Sequence, residues 1–412
     1  MRSDSGPTSA TVLDRLSPPG RLIGLDAARG LALFAMMITH IISMTDPAGM
    51  PTWASEFSGK ASALFAVLAG CSLVLSTRSR LDRPGAGLRD VAGSVLIRAA
   101  AITAIGLCLG TVSSLLAVIL VNYGVMFAIA MLFLRLRAGA LFAIALTWMG
   151  LGPVVSMLVR SEFELTPSYL PMSWFDLATP PAMLTDLVLT GYYPILQWLS
   201  YILLGMACAK LDISRHLPAL IAAGGAMILV GTGASWLLLG PAGGEAILVE
   251  DAQRQGIDLG AALHTGSFGV TATTSWWWLA IAGPHSGTPF DLLFTSGTSV
   301  VTIAACQMLA GLLGRSAWVL APVSAPGSMP LTVYSAHVVL IELTHPLIGQ
   351  NPAIGSLLMR ETAEYALHAL GFAVLAIVWK LTVSSHGPLE SGISVLIRAW
   401  APKPEVETKP EA

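Results

Sequence analysis

Charge is what this sequence has least of. Asp, Glu, Lys and Arg make up 11% of its 412 residues, under half the share of an average soluble chain. So few charges cannot cover a globule in water. A soluble enzyme, a nucleic-acid-binding protein and a disordered chain are excluded on that ground. Cysteine is scarce too. Cys71, Cys108, Cys208 and Cys306 each lie inside an apolar run and read as small core residues, not as a disulfide framework or metal site. The chain has no G-x-x-x-x-G-K-[ST] phosphate loop, no G-x-S-x-G elbow, no C-x-x-C and no H-E-x-x-H. ATP-driven pumping, a serine elbow and a zinc centre lose their usual sequence support, and no metal is expected.

What is present is apolar: 54% hydrophobic residues and a mean hydropathy of +0.72. The expected fold class is all-α, a polytopic membrane protein, because lipid solvates apolar side chains and each helix satisfies its own backbone. A spanning helix needs roughly 20 mostly apolar residues. Ten segments qualify, at about 24–44, 59–77, 92–111, 114–134, 138–158, 192–211, 218–240, 292–313, 328–347 and 364–383. Residues 1–20 and 401–412 read as disordered cytoplasmic tails, and 21–400 as a single helical domain.

The basic residues orient these spans. With both termini placed in the cytoplasm, 17 of the 22 Lys and Arg fall in cytoplasmic segments. Lys60, Arg160, Arg254 and Arg360 fall outside, and Arg29 lies within the first span. Two long outer segments, about 160–191 and 240–290, carry mostly carboxylates. Trp276, Trp277 and Trp278 sit late in the second. They read either as an interfacial aromatic belt or as a lid that stacks on a sugar.

Ionisable groups inside a spanning helix are costly and point to function. The first span carries Asp26, Arg29 and His40. At 100° per residue, Arg29 lies roughly 60° and His40 roughly 40° from Asp26, so the three share one face. Gly30 at its edge lets a helix or ligand come close. Asp26 and Arg29 read as an i,i+3 ion pair or as part of a binding face. His40 reads as an outer helix cap or as a base. The ninth span holds Tyr334, His337, Glu342 and His345, and the rim of the eighth holds His285 and Asp291. His337 reads as a packing histidine or a catalytic one. For His285 and Asp291, turn and cap chemistry stands beside substrate binding. Topology alone gathers histidines in the outer half of the membrane and cations at the cytoplasmic mouth. That layout suits the transfer of a group from a cytoplasmic anionic donor to an outer acceptor. A neutral imidazole can take the acceptor's proton.

These residues resemble a known family. RLIGLDAARGLALFAMMITHI is similar to the R-x3-LD-x2-RG-x5-M opening of the heparan-α-glucosaminide N-acetyltransferase-like superfamily. SALFAVLAGCSLVLS, ILVNYGVMF, GYYPILQWLSYILLGMACAKLD, PHSGTPFDLLFTSGTS and MPLTVYSAHVVL resemble its later elements in order. The resemblance implies a bacterial plasma-membrane acyltransferase that moves an acetyl group from cytoplasmic acetyl-CoA to an extracytoplasmic sugar or glycan. Membrane lipid is a further partner, and a homodimer is allowed. Asp26, Arg29 and Gly30 fall on the family motif and so on the donor side. His40 stands where the characterised branch has Asn. The loop TDPAGMPTWASEFSGKAS lacks that branch's H-A-x-W-N-G histidine. Either His40 takes over as base, with His337 beside it, or this branch does different chemistry. On the first reading His285, Asp291, Tyr334, Glu342 and His345 hold the acceptor. The alternative is a proton-coupled transporter of a small metabolite, with the same His and Glu residues as its relay.

Overall fold

The computed structural model describes residues 12–18, 20–113 and 116–400. Among them there are helices and no strand, only an isolated bridge between Thr45 and Pro51. The major helices are α1 (Ile23–Ile41), α2 (Lys60–Leu81), α3 (Arg89–Val112), α4 (Leu120–Ala130), α5 (Ala138–Glu162), α6 (Ile195–Lys210) and α7 (Leu217–Leu239). They continue with α8 (Gly244–Gln255), α9 (Pro289–Leu313), α10 (Ala321–Gly327), α11 (Pro330–Thr344), α12 (Leu357–Thr382) and α13 (Pro388–Trp400). Seven helical stretches are long and apolar enough to cross a membrane, and an eighth counts if the bent pair Pro180–Thr190 and Ile195–Lys210 is one span. The chain is a multi-pass membrane protein. Two expected spans fall short of that test. The first, α1, is 19 residues long and dilutes its apolar run with Asp26, Arg29 and His40. The fourth begins at Leu120, not near 114, and runs only to Phe133.

Burial sorts the helices into an inner group and a lipid-facing shell. α2 and α6 are buried along nearly their whole length, whereas α7 and α12 show most of theirs to the surroundings. The inner pair meets backbone to backbone. A Cβ on Gly205 would stand 1.8 Å from the Val67 carbonyl oxygen, and one on Gly70 would stand 2.0 Å from that of Ile202. Cys71 Sγ donates to the Gly205 carbonyl across the same seam at 3.1 Å. In lipid, where apolar burial between helices adds little, such close approach is the main source of helix affinity.

Prolines mark the irregular places. Pro153 sits inside α5 without ending it. Pro194 follows the 55° bend and starts α6. Pro330 opens α11, where the Glu390 carboxylate of α13 accepts from the Leu331 and Thr332 amides and from the Thr332 hydroxyl at 2.8, 3.2 and 2.6 Å. An amphipathic terminal helix thus caps a membrane helix from outside its own sequence. Residues 1–11 and 401–412 of the expected tails lie outside the described residues. Nearer the bundle, Val12–Leu16 forms a helical turn, and its Leu16 carbonyl accepts from Lys380 Nζ at 3.2 Å.

Replacing Gly205 by Ala forces a methyl into a carbonyl contact that cannot yield without parting α2 from α6. Overpacking of this kind costs about 1–3 kcal/mol. Thermal unfolding in detergent is expected to shift down by several degrees, with no such shift for Gly225→Ala, where a Cβ meets open space.

Candidate functional site

α1 carries its polar groups at two ends. At the end shared with Arg21, Asp26 Oδ2 accepts from Arg21 Nε at 2.5 Å and Oδ1 from Arg29 Nη1 at 2.7 Å. Arg29 Nη2 donates to Ser72 Oγ at 2.9 Å, tying α1 to α2. The i,i+3 ion pair expected from spacing is present, enlarged by Arg21. A Cβ on Gly30 would sit 1.9 Å from the Val323 carbonyl oxygen of α10, so this glycine lets α1 and α10 cross. Near this end of the bundle, Arg78, Arg135, Arg137 and Lys210 line a cavity of about 430 Å3 together with Asp82, which pairs with Arg78 Nε at 3.4 Å.

At the other end of α1 lies a second cavity of about 300 Å3. His40 and His285 both line it, with Tyr169, Tyr192, Tyr193 and Phe268. Asn122 Nδ2 holds the Tyr193 carbonyl at 2.8 Å. His285 is buried, its Nδ1 has no hydrogen-bond partner, and its backbone is left-handed at φ 52°. Its ring lies 4.8 Å from that of Tyr192 and stacks on Trp198 at 6.1 Å and 17°. Asp291 does not line the cavity. It accepts from the Gly287 amide at 3.0 Å and donates its own amide to Thr288 Oγ1 at 3.2 Å, so it fixes the turn that presents His285. Burial first, and then neighbouring His40, pull the His285 pKa down to about 4. It is a neutral imidazole at neutral pH.

Behind His40 runs a chain of polar side chains. His40 Nδ1 lies 3.0 Å from His337 Nε2, with the rings stacked at 5°. His337 Nδ1 lies 2.7 Å from His368 Nδ1. His368 Nε2 lies 3.0 Å from Thr344 Oγ1, which donates to Glu364 Oε1 at 2.8 Å. Glu364 Oε2 lies 3.3 Å from His345 Nδ1, and the His345 side chain is 28% exposed. An ionised carboxylate only accepts. With Glu364 as carboxylate, Thr344 must give it its hydroxyl proton and so accept from His368 Nε2–H. His368 Nδ1 is then bare and accepts from His337 Nδ1–H, and His337 Nε2 accepts from His40 Nδ1–H. The last consequence is a bare Nε2 on His40. Among the described residues, no group of three or more His, Cys, Asp or Glu could hold a metal ion. The three imidazoles stand in series rather than around a point.

Of the residues singled out in the sequence, the structure brings His40, His337 and His345 into one network and His285 to its cavity. Tyr334 is buried against Phe65 at 6.5 Å between ring centres, away from the cavity lining. Glu342 accepts from Ser113 Oγ at 3.3 Å and takes no part in the histidine chain. Sequence reasoning passed over Glu361, Glu364 and His368. Their spacing of three and four along α12 was the available signal. Glu361 accepts from the Ser43 hydroxyl and, at 3.2 Å, from its amide, anchoring the segment after α1. The three tryptophans are not the aromatic wall of the site. Trp278 is buried and donates to Asp251 at 2.8 Å, while Trp276 is 56% exposed.

Residues 21–237 match the family model described as heparan-alpha-glucosaminide N-acetyltransferase, catalytic. This segment is a little over half the chain. It includes Asp26, Arg29, Gly30 and His40 and ends before His285, His337, Glu364 and His368. No curated protein matches the sequence.

The low His285 pKa has a measurable consequence. Between pH 6.5 and about 4 the unfolded chain binds a proton that folded His285 refuses. Stability from this residue is therefore complete above pH 6.5 and lost as pH falls toward 4. Melting temperatures taken from pH 7 to pH 4 should fall less steeply for His285→Gln than for the native protein. Parallel slopes would show that His285 does not carry this loss.

Proposed function

Because the chain belongs to the heparan-alpha-glucosaminide N-acetyltransferase catalytic family, we propose that it transfers an acetyl group from acetyl-CoA to a sugar or glycan acceptor across the bacterial plasma membrane. The family match favours this reading over transport. The site observation that carries it is His40 on a cavity it shares with His285, its Nδ1 3.0 Å from His337 Nε2.

On this reading the ten spans place the basic end in the cytoplasm and the histidine cavity outside, as the distribution of Lys and Arg asks. Arg135, Arg137 and Lys210 meet the donor's phosphates by charge-assisted hydrogen bonds, with Arg78 beside them paired to Asp82. Asp26, Arg29 and Gly30 support the donor side by holding α1 against α2 and α10, since each already has a partner within the protein. The acceptor enters from the opposite end. His40 Nε2 removes a proton from the acceptor as its heteroatom attacks the thioester carbon. The new bond forms, the C–S bond breaks, and the thiolate leaves with its electron pair and takes up a proton. His337 keeps the tautomer of His40 correct through Nδ1. His285, neutral and lining the same cavity, hydrogen-bonds the acceptor. The tyrosines and Phe268 supply apolar faces for a sugar ring.

A positioned base contributes about 10²–10⁴-fold to rate. His40→Gln should cut kcat for thiol release from acetyl-CoA by about that factor and leave KM for the donor within a fewfold. Undiminished turnover in a folded His40→Gln protein would remove His40 from the mechanism.

A further inference from the structure

The segment that follows α5 is a loop with the composition of a core. Between Leu165 and Thr185 the only charged residue is Asp176. A capping box holds it: its carboxylate accepts from the Ser173 amide and hydroxyl at 2.7 and 2.8 Å. The large side chains turned outward are apolar. Leu170 is 84% and Phe175 77% exposed, and Tyr169, Trp174, Leu177 and Leu184 are exposed as well. A loop in water turns polar side chains outward. An apolar patch of this extent marks a surface that meets lipid or a partner.

Depth decides between the two. Trp174 Nε1 donates to Cys108 Sγ at 3.3 Å, and a Cβ on Gly110 would collide with the Met172 carbonyl. Cys108 and Gly110 are closing residues of α3, a helix long and apolar enough to cross the membrane. Cys108 lies four residues before the end at Val112, about 6 Å along the axis. The segment therefore lies beside a spanning helix, not above it. Its outward side chains face the leaflet at the histidine end of the bundle.

The inner side of the same segment belongs to the site. Tyr169, Leu170 and Pro171 line the cavity of His40 and His285. Aromatic rings carry that wall inward without a break. Tyr169 meets Phe268 edge-on at 5.4 Å, Phe268 meets Tyr192 at 6.0 Å, and Tyr192 meets His285 at 4.8 Å. Phe268 has a left-handed backbone at φ 53°. It is held there because the Ser267 amide donates to the Pro284 carbonyl at 3.0 Å and the Gly269 amide to that of His285 at 2.7 Å. Anchoring in lipid accounts for the outward side chains. It does not account for a lipid-facing strip that continues into the wall of the cavity.

From this continuity we infer that the acceptor sugar is carried on a lipid and reaches His40 sideways from the leaflet, over Leu165–Thr185. This rests on the acyl-transfer reading above. The hydrocarbon stays in the bilayer throughout, so no apolar surface is exposed to water during entry. The headgroup passes Leu170 into the cavity, where Tyr169, Phe268 and Tyr192 present ring faces to the sugar. Confinement to one leaflet raises the effective concentration of acceptor at the mouth. A soluble glycan gains nothing from an apolar mouth.

The experiment measures thiol release from acetyl-CoA by the full-length protein in phosphatidylcholine nanodiscs, where both faces are open to solvent. The acceptors are methyl and hexadecyl glucosides and glucosaminides, soluble and bilayer-borne forms of the same two sugars. For whichever sugar is used, native kcat/KM should be about tenfold or more higher for the hexadecyl form. In the double variant Leu170→Gln, Phe175→Gln, which changes exposed side chains only, that ratio should fall about fivefold or more. In Leu229→Gln, a comparably exposed position on α7, it should stay native. No native preference for the hexadecyl form overturns the lipid-borne acceptor but not acyl transfer. A ratio lowered no more in the double variant than in Leu229→Gln reflects partition into the bilayer alone and overturns entry over this segment. No thiol release with any acceptor overturns the acyl-transfer reading itself. A second measurement tests the segment without turnover. A bimane on Phe175→Cys, in a Cys108→Ser background, should be quenched more by nitroxide-bearing lipid chains than by iodide. Stronger quenching by iodide places the segment in water and overturns lateral entry.

Discussion

Glu364 is the constraint on which the site depends. A fully buried carboxylate in a membrane helix must be surrounded by donors, since an isolated charge there is very costly. Thr344 and His345 serve as those donors. Thr344 has one proton to give, and once it points at Glu364 its lone pairs must be fed by His368. Each imidazole has one proton in its neutral form, so the choice propagates through His337 to His40. The unprotonated nitrogen at the cavity is the far end of a sequence of forced moves that begins about four side chains away. This is how a residue on α12, in no contact with the cavity, sets the chemistry of a residue on α1.

The same helix shows how differently two ends of one polar face are used. Asp26, Arg29 and Gly30 are consumed by packing: two guanidiniums on one carboxylate, a bond to Ser72, a backbone crossing at Val323. That end is rigid and internally satisfied. His40 is satisfied on one nitrogen only. Rigidity at the first end holds the second in place, because α1 is a continuous helix between them. A family motif concentrated on the packed end therefore marks the scaffold well and the reaction less well.

Much of this was legible in the sequence. Long apolar runs revealed the helices, and the i,i+3 spacing of Asp26 and Arg29 revealed a bond, because both signals are local. The meeting of His40 with His337 was legible only as a shared depth, since helix rotation and neighbour identity are tertiary facts. Glu361, Glu364 and His368 carried a clear one-face spacing, yet spacing along one helix does not say which neighbours that face meets. The fourth helix begins six residues late because Ser113 bonds its own loop through Leu116, and hydropathy cannot see a backbone turn inside an apolar run. The tryptophan triplet left two readings open, a belt and a stacking lid, for the opposite reason. Aromatic content names a residue suited to stacking but not the surface it faces, and here Asp251 draws Trp278 into a separate small core.

His285 and Asp291 show why cap chemistry and site chemistry are poor alternatives. Sequence spacing offered a choice between a turn with a helix cap and a pair of functional groups. The structure joins them. Thr288 and Asp291 satisfy the first amides of α9 and the Gly287 amide, which holds the turn closed. Closing the turn puts His285 into the left-handed region at φ 52°, a conformation an imidazole-bearing residue adopts at a cost. Gly59, itself at φ 71°, packs its Cα side against the Pro284 and His285 backbone from the start of α2. Caps at one helix and a glycine at another together hold a strained residue whose free Nδ1 is then fixed beside the cavity, with no freedom to turn toward solvent. An unpartnered buried nitrogen in a relaxed loop would find a partner by moving. In this turn it cannot, so the nitrogen stays closed off and unpaired, and the turn carries that cost together with its left-handed backbone.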